Sequence, residues 1–335
     1  MKLALVGPSF FGYLERLAQV FEERKISCVF FDERPSNSLL GKILLRVLPM
    51  TLKARITEAR FKKIVKFLVE NEFTHVLLIS PEAFPAWAVV ELRRMGLRVC
   101  GYGWDSLKNK PHLGSLDQIL DAVASFDPVD CNSRGYSLVP LYSDAFSSSV
   151  DAPTRETHVM CCATLHSQRP QWIVKMEDIC KRRGWVYEFM LFYHARWLWL
   201  IRYSLWPHVW RLFSSISVRS FSRSELVAAT RRSRVVLDLH HPHQSGLTMR
   251  TFEAISLGAM VLTTNSNANA SVPEEISSRI FILQAEEAEK NLMAAISFVP
   301  KPLSTEALRF LTVDRFVDQL SFILQETGST ASSIR

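Results

Sequence analysis

The stretch that most constrains the fold is residues 234–265, RVVLDLHHPHQSGLTMRTFEAISLGAMVLTTN. It opens on a β-branched and leucine run, 234–239, that reads as a buried strand. A polar loop containing Pro242 follows, 240–246. Leu247, Thr248, Phe252, Ile255 and Leu257 then give the apolar face of a helix, which Gly258 ends. A second strand, 260–264, follows at once. Strand, loop, helix and strand in this order make one βαβ unit of a parallel sheet. Such sheets bind ligands at the carboxyl ends of their strands, where helices begin. Free backbone N–H groups at the positive end of the helix dipole favour an anion there, such as a diphosphate.

The same alternation runs through the rest of the chain. Strands are expected at 2–6, 27–31, 75–80, 97–102 and 122–126, then at 158–163, 186–191 and 280–283. Amphipathic helices are expected at 11–23, 54–70, 86–95, 170–183, 285–297 and 304–325. A Ser/Asp/Pro-rich stretch, 143–156, reads as a linker between them. A length of 335 residues accommodates two domains of ordinary size. The expected architecture is therefore α/β: two Rossmann-like parallel-sheet domains, 1–150 and 151–335, facing a cleft in which a ligand is sandwiched.

Several chemistries lack their signatures. The first βα loop holds one glycine, Gly7, so it is not the dinucleotide fingerprint, and Asp32 after the second strand reads as a solvated loop residue. No P-loop and no G-x-S-x-G elbow occurs. The formal charge of +7 suits an anionic ligand or an acidic membrane surface, but no helix-turn-helix, zinc-finger or RNA-binding signature accompanies it, so nucleic acid is not an expected partner. The six cysteines form no CxxC pair and lie in apolar runs, as buried free thiols do. His240, His241 and His243 lack a completing carboxylate or thiolate, so no metal site is expected. The first ten residues read as a strand rather than a secretory signal, and no uncharged apolar run reaches 18 residues.

Two basic stretches have two readings each. Residues 34–53 pair leucines with Lys42, Arg46 and Lys53, either as a helix packed on the sheet or as a membrane-surface contact or acceptor floor. Residues 192–213, FYHARWLWLIRYSLWPHVWRLF, interleave aromatics with Arg196, Arg202 and Arg211. They suit an interfacial helix with rings at headgroup depth, or a helix buried between domains. Trp104 and Asp105, at a strand exit, read either as a ligand-stacking ring with a nearby carboxylate or as a core ring and a turn cap.

The residues that carry the chemistry are expected at the helix start in 245–253. Ser245 and Thr248 offer hydroxyls to a ligand or an N-cap to the helix, Gly246 and Leu247 offer backbone, and Arg250 offers a fork for a diphosphate or, with Glu253, a surface salt bridge. Glu253 offers an acceptor for ribose hydroxyls. A nucleotide-diphosphate sugar supplies every group that such a site could hold.

The segment SGLTMRTFEAISLGAMVLTTN resembles the donor-site segment of GT-B glycosyltransferases, of the kind seen in bacterial lipopolysaccharide and capsule biosynthesis and in the CgeB-like proteins. YGWDSLKN (102–109), SFDPVDC (125–131), LVPLY (138–142) and ATLHSQRP (163–170) resemble further pieces of that pattern, in order. The resemblance implies a two-domain GT-B fold with the nucleotide-sugar donor on the C-terminal half and the acceptor toward the N-terminal half. Glu253 matches the glutamate that holds the donor ribose, and Gly258 the glycine closing its helix. His240 and His166, at strand exits of the C-terminal half, join the expected donor set. Ser245 stands where many retaining members carry a second glutamate, so the stereochemical outcome does not transfer. The resemblance also implies catalysis without a metal or other cofactor. Arg250 would stabilise the departing diphosphate, and an inverting enzyme would take its acceptor base from Asp105 first or Glu82 second. A lipid-linked or lipopolysaccharide acceptor implies a cytoplasmic protein that reaches the inner face of the membrane. A GT-B-shaped binding or scaffold protein without catalysis, and a peripheral membrane binder, are the alternatives.

Overall fold

The computed structural model describes residues 1–9, 12–34, 48–145, 155–241, 243–270 and 272–326. Most of the basic segment at 34–53 and most of the expected linker fall outside these residues. The chain forms two compact units, one of Met1–Pro140 with Val313–Arg335 and one of Leu141–Thr312.

The first unit holds six parallel strands: β1 (Lys2–Gly7), β2 (Ser27–Asp32), β3 (His75–Ile79), β4 (Arg98–Gly103), β5 (Ala122–Ser125) and β6 (Ser137–Leu138). Their order is β2-β1-β3-β4-β5-β6, so the winding reverses between β1 and β3. Leu3 pairs with Cys28 on one side and with His75 on the other. β1 is central, and Leu3, Leu5 and Val6 are fully buried accordingly. Gly7 is required at its end: a Cβ there would stand 2.5 Å from the Ile79 carbonyl oxygen. Helix Tyr13–Glu23 buries Leu14, Leu17, Val20 and Phe21, one stripe at helical spacing.

The second unit holds β7 (Thr157–Thr164), β8 (Tyr187–Phe192), β9 (Ile216–Ser217), β10 (Ser233–Asp238), β11 (Met260–Thr263) and β12 (Ile280–Ile282). Their order is β12-β11-β10-β7-β8-β9, all parallel, with the winding reversing between β7 and β10. This is the doubly wound dinucleotide-fold order, in which the crevice beyond the carboxyl ends at the reversal receives ligands. The core of this unit is a layer of Val159, Cys161, Val235, Leu237 and Leu262 from the sheet with Ile173, Met176 and Leu292 from the helices.

The expected boundaries differ at three places. Residues 304–325 are two helices, Thr305–Phe310 and Val313–Gln325, and the second belongs to the first unit rather than to a domain 151–335. Its Phe316 packs edge-on against Tyr102, Arg315 donates to the Pro140 carbonyl, and Arg24 pairs with Asp314 and Asp318. The crossing into the second unit comes at Leu141, earlier than the expected 150. There Ser143, inside the expected linker, is fully buried, forms an isolated bridge with Thr312, and donates its N–H to the Leu311 carbonyl. Residues 192–213 are not one helix. Helix Arg196–Arg202 ends before Pro207, which starts a 3₁₀ helix, Pro207–Ser215.

All six cysteines are free, and five are fully buried. Among the described residues no helix is long and apolar enough to cross a membrane.

Candidate donor site

The site is built on Asp238, the last residue of β10. Its carboxylate is buried, and one oxygen accepts hydrogen bonds from both the Thr248 and Thr251 hydroxyls, each at 2.8 Å. Thr248 is the N-cap of helix Met249–Ser256, and its hydroxyl also accepts from the Thr251 N–H. The strand end thereby fixes where the next helix starts. Of the two sequence readings of the Thr248 hydroxyl, a ligand group or an N-cap, the structure shows the cap.

Asn265, at the exit of β11, pins the loop before that helix. Its amide donates to the Ser245 carbonyl at 2.9 Å and to the Gly246 carbonyl at 3.3 Å. Ser245 and Leu247 are buried in that loop. The neighbouring Thr264 hydroxyl holds His240 Nδ1 at 2.7 Å. Burial lowers the His240 pKa, with Asp238 opposing the shift. His243 carries a left-handed backbone, φ 74°, in the same loop.

The loop after β7 supplies the other wall. Arg169 donates through Nε to the Leu239 carbonyl at 2.9 Å, and through Nη1 to His166 Nε2 at 3.0 Å. The His166 ring lies 5.3 Å from that of His241. Burial first, then the positive charges of Arg169 and Arg202 and the neighbouring His241, push His166 down to about 4. Its imidazole is therefore neutral near pH 7, an acceptor at Nε2 with the proton on Nδ1 toward the Ser167 hydroxyl.

Three charged side chains of this unit act on the end of β7. Cys162, on that strand, feels Arg250, Arg169 and Glu253, although burial dominates and raises its pKa. Arg169 and Arg250 also repel each other: burial lowers the Arg169 pKa most, Asp238 opposes it, and Arg250 lowers it further. Arg169, bound to the Leu239 carbonyl beyond β10, and Arg250, on the first turn of the helix that follows, give the winding reversal an electrostatic setting for an anion of more than one charge. Glu253 is nearly fully buried on the second turn of the helix. The helix closes at Gly258, whose φ of 80° needs glycine.

The sequence-expected residues Ser245, Gly246, Leu247, Thr248, Arg250, Glu253, His240 and His166 thus all lie in the second unit, on the loops after β7 and β10 and on helix Met249–Ser256. Arg169, Asp238 and Asn265 were missed. The available signal for Asp238 was an acid ending an otherwise apolar strand, ten and thirteen residues before two threonines. Among the described residues no group of three His, Cys, Asp or Glu side chains is placed to hold a metal ion.

Asp105 and Glu82 lie in the first unit, beyond β4 and β3. Glu82 accepts from both Arg34, at 3.0 and 3.1 Å, and Lys110, at 2.6 Å. Burial raises its pKa, but these two cations outweigh burial and hold it below the usual range. A carboxylate clamped in this way is a weak base. Trp104 packs against Tyr13, Tyr102 and Phe316, which is the core reading of that ring. Beside Glu82 stands a carboxyl that the sequence did not signal. Glu33 is 2% exposed and accepts from the N–H groups of Glu82 and Ala83 at 2.6 and 3.3 Å. Burial, against those two bonds, raises its pKa to about 7.

Residues 191–296, which include every donor-side residue except His166 and Arg169, match a family model described as Glycosyl transferase-like. No curated protein matches the chain. Among solved structures, a lipopolysaccharide outer core galactosyltransferase, WaaB in its apo form, is similar at 12% identity. Its TM-score is 0.61, over 97% of this chain and 99% of that one. A UDP-forming trehalose-phosphate synthase from Burkholderia xenovorans is similar at 12% identity and a TM-score of 0.61, over 98% and 100%. A structure titled as a UDP-N-acetylglucosamine 2-epimerase from Listeria monocytogenes is similar at 11% identity and a TM-score of 0.58, over 96% and 95%. At such identities the likeness speaks for the fold. The chain has two Rossmann-like parallel-sheet units and the GT-B fold.

Proposed function

We propose that this protein is a glycosyltransferase that moves a sugar from a nucleotide-diphosphate sugar to a hydroxyl of a cell-surface glycan, of the lipopolysaccharide or capsule type, without a bound metal or cofactor. The observation that carries this reading is the placement, at the winding reversal of the second unit, of Arg169 on the Leu239 carbonyl just beyond β10 and of Arg250 and Glu253 on the helix that follows that strand. The family match, which covers Arg250 and Glu253, favours transfer over the epimerase chemistry that the fold also hosts.

In the proposed reaction the acceptor oxygen forms a bond to the anomeric carbon while the bond from that carbon to the diphosphate oxygen breaks. Negative charge grows on the departing diphosphate. Arg250 stabilises it together with Arg169, whose guanidinium is already held by the Leu239 and Thr164 carbonyls. Neutral His166 adds a polar contact and no second charge change. Glu253 accepts from the ribose. If the anomeric centre inverts, Asp105 takes the acceptor proton, because Glu82 is neutralised by Arg34 and Lys110.

The test is release of nucleoside diphosphate from a panel of nucleotide sugars in the presence of short glycan acceptors. The expected result is release with one nucleotide, slowed by about 100-fold or more in Arg250→Ala. Binding of nucleotide sugar without any release would make the chain a GT-B-shaped binding protein instead.

A further inference from the structure

Residues 189–224 contain no aspartate or glutamate and five arginines, 196, 202, 211, 219 and 223. The structure divides this run into an inner and an outer face. Trp199, Tyr203, Val209 and Leu212 point into the core of the second unit. Trp197 and Ile201 are 66% and 63% exposed, and Leu205 is 88% exposed. Leu198 and Trp210 are also exposed. Trp197, Leu198 and Ile201 share one side of helix Arg196–Arg202 by helical spacing, and Leu205 follows one turn later. The Trp210 indole N–H is satisfied by the Tyr203 carbonyl at 2.9 Å, which holds that ring beside the helix end.

Not every arginine is free to act. Arg211 pairs with Glu177 and Asp178, Arg219 with Glu225, and Arg223 with Asp144. Arg196 and Arg202 form no ion pair among the described residues, and both are exposed at the two ends of helix Arg196–Arg202, although Arg196 donates through Nε to the Ile216 carbonyl at 2.8 Å. An apolar strip of Trp, Leu and Ile with a guanidinium at each end, and no acid in the run, complements a layer of anionic headgroups over acyl chains.

We propose that the outer face of residues 196–210 docks on the surface of an anionic phospholipid bilayer, with Trp197, Ile201 and Leu205 entering the interface and Arg196 and Arg202 facing phosphates. The same segment is tied to the candidate donor site. The Tyr203 hydroxyl donates to the Ser167 carbonyl at 3.3 Å, next to His166 in the loop after β7. Docking therefore brings the wall of that site to the lipid surface, where a lipid-linked acceptor would be found. The docking itself stands independently of the transfer reaction.

The experiment is co-sedimentation of the full chain with phosphatidylcholine vesicles, with and without phosphatidylglycerol, at low and high salt. The variants are Trp197→Ser/Ile201→Ser/Leu205→Ser and, separately, Arg202→Gln. The expected result is binding that requires phosphatidylglycerol, weakens with salt, and falls about tenfold or more in the triple variant. Circular dichroism and the nucleotide-induced shift in melting temperature should be unchanged in the triple variant, since these side chains are exposed and outside the donor site. A failed transfer reading would leave the vesicle result standing, and the reverse. Absence of binding to anionic vesicles overturns the proposal, as does equal binding by wild type and triple variant. A dimer in solution that dissociates in the triple variant, with no vesicle binding, assigns the face to a second copy and also overturns it.

Discussion

Arg169 Nη1 stands 3.0 Å from His166 Nε2. A guanidinium can only donate, so the imidazole must accept at that nitrogen and cannot carry a second proton without losing the contact. This fixes both the tautomer and the charge of a residue on the wall of the candidate donor site.

The His166 ring should therefore titrate near pH 4 in the unliganded protein, followed by its ring-proton chemical shifts. A folded pKa below the ordinary 6.5 contributes stability that is present above 6.5 and is lost as the pH falls through about 4. A bound diphosphate offsets the charges of Arg169 and Arg202 that depress the ring, so its pKa should rise by about a unit when nucleoside diphosphate saturates the site. An unmoved titration on binding would place the ligand elsewhere.

Asp238 joins the end of β10 to the start of helix Met249–Ser256 through two threonine hydroxyls. Asp238→Ala leaves one buried donor, Thr251, and one half-buried donor, Thr248, without their acceptor and should cost about 2–4 kcal/mol in urea unfolding. Asp238→Asn retains an oxygen and should cost less. Equal losses in the two variants would mean that the carboxylate charge, and not the acceptor geometry, holds the cap.

Glu33 gives an opposite pH dependence. Its folded pKa of about 7 lies above the ordinary 4.5, so its contribution to stability is greatest below 4.5 and is lost as the pH rises through 7. Glu33→Gln removes that titration. Relative to wild type, the variant should gain on the order of 2 kcal/mol in stability between pH 4.5 and 8. Parallel stability curves for the two proteins would contradict a buried carboxyl titrating there.

The long strands and amphipathic helices were legible because β1, β7 and β10 are near-continuous apolar runs and helix Tyr13–Glu23 carries a clear stripe. β6 and β9 were not, since two residues display no period. The return of helix Val313–Gln325 to the first unit was invisible, because its partners Arg24 and Tyr102 lie more than 200 residues away. At the site, the helix start and its Arg250 and Glu253 could be read from a local pattern. Arg169 could not, because its role depends on β7 lying beside β10. The Thr248 hydroxyl reads from sequence as either a ligand group or an N-cap, and only the structure reveals that it caps the helix and donates to Asp238.

The central claim is that a nucleotide-diphosphate sugar binds in the second unit at Arg250 and Glu253. Its most direct test is the melting temperature of wild type, Arg250→Ala and Glu253→Ala across a concentration series of nucleoside diphosphates and nucleotide sugars. A site-specific ligand stabilises by about 2.7 kcal/mol at 100 times its dissociation constant. The account predicts a rise for one base in wild type, with the response shifted to at least about tenfold higher concentration in both variants. No rise with any nucleotide, or the same rise in all three proteins, would contradict it.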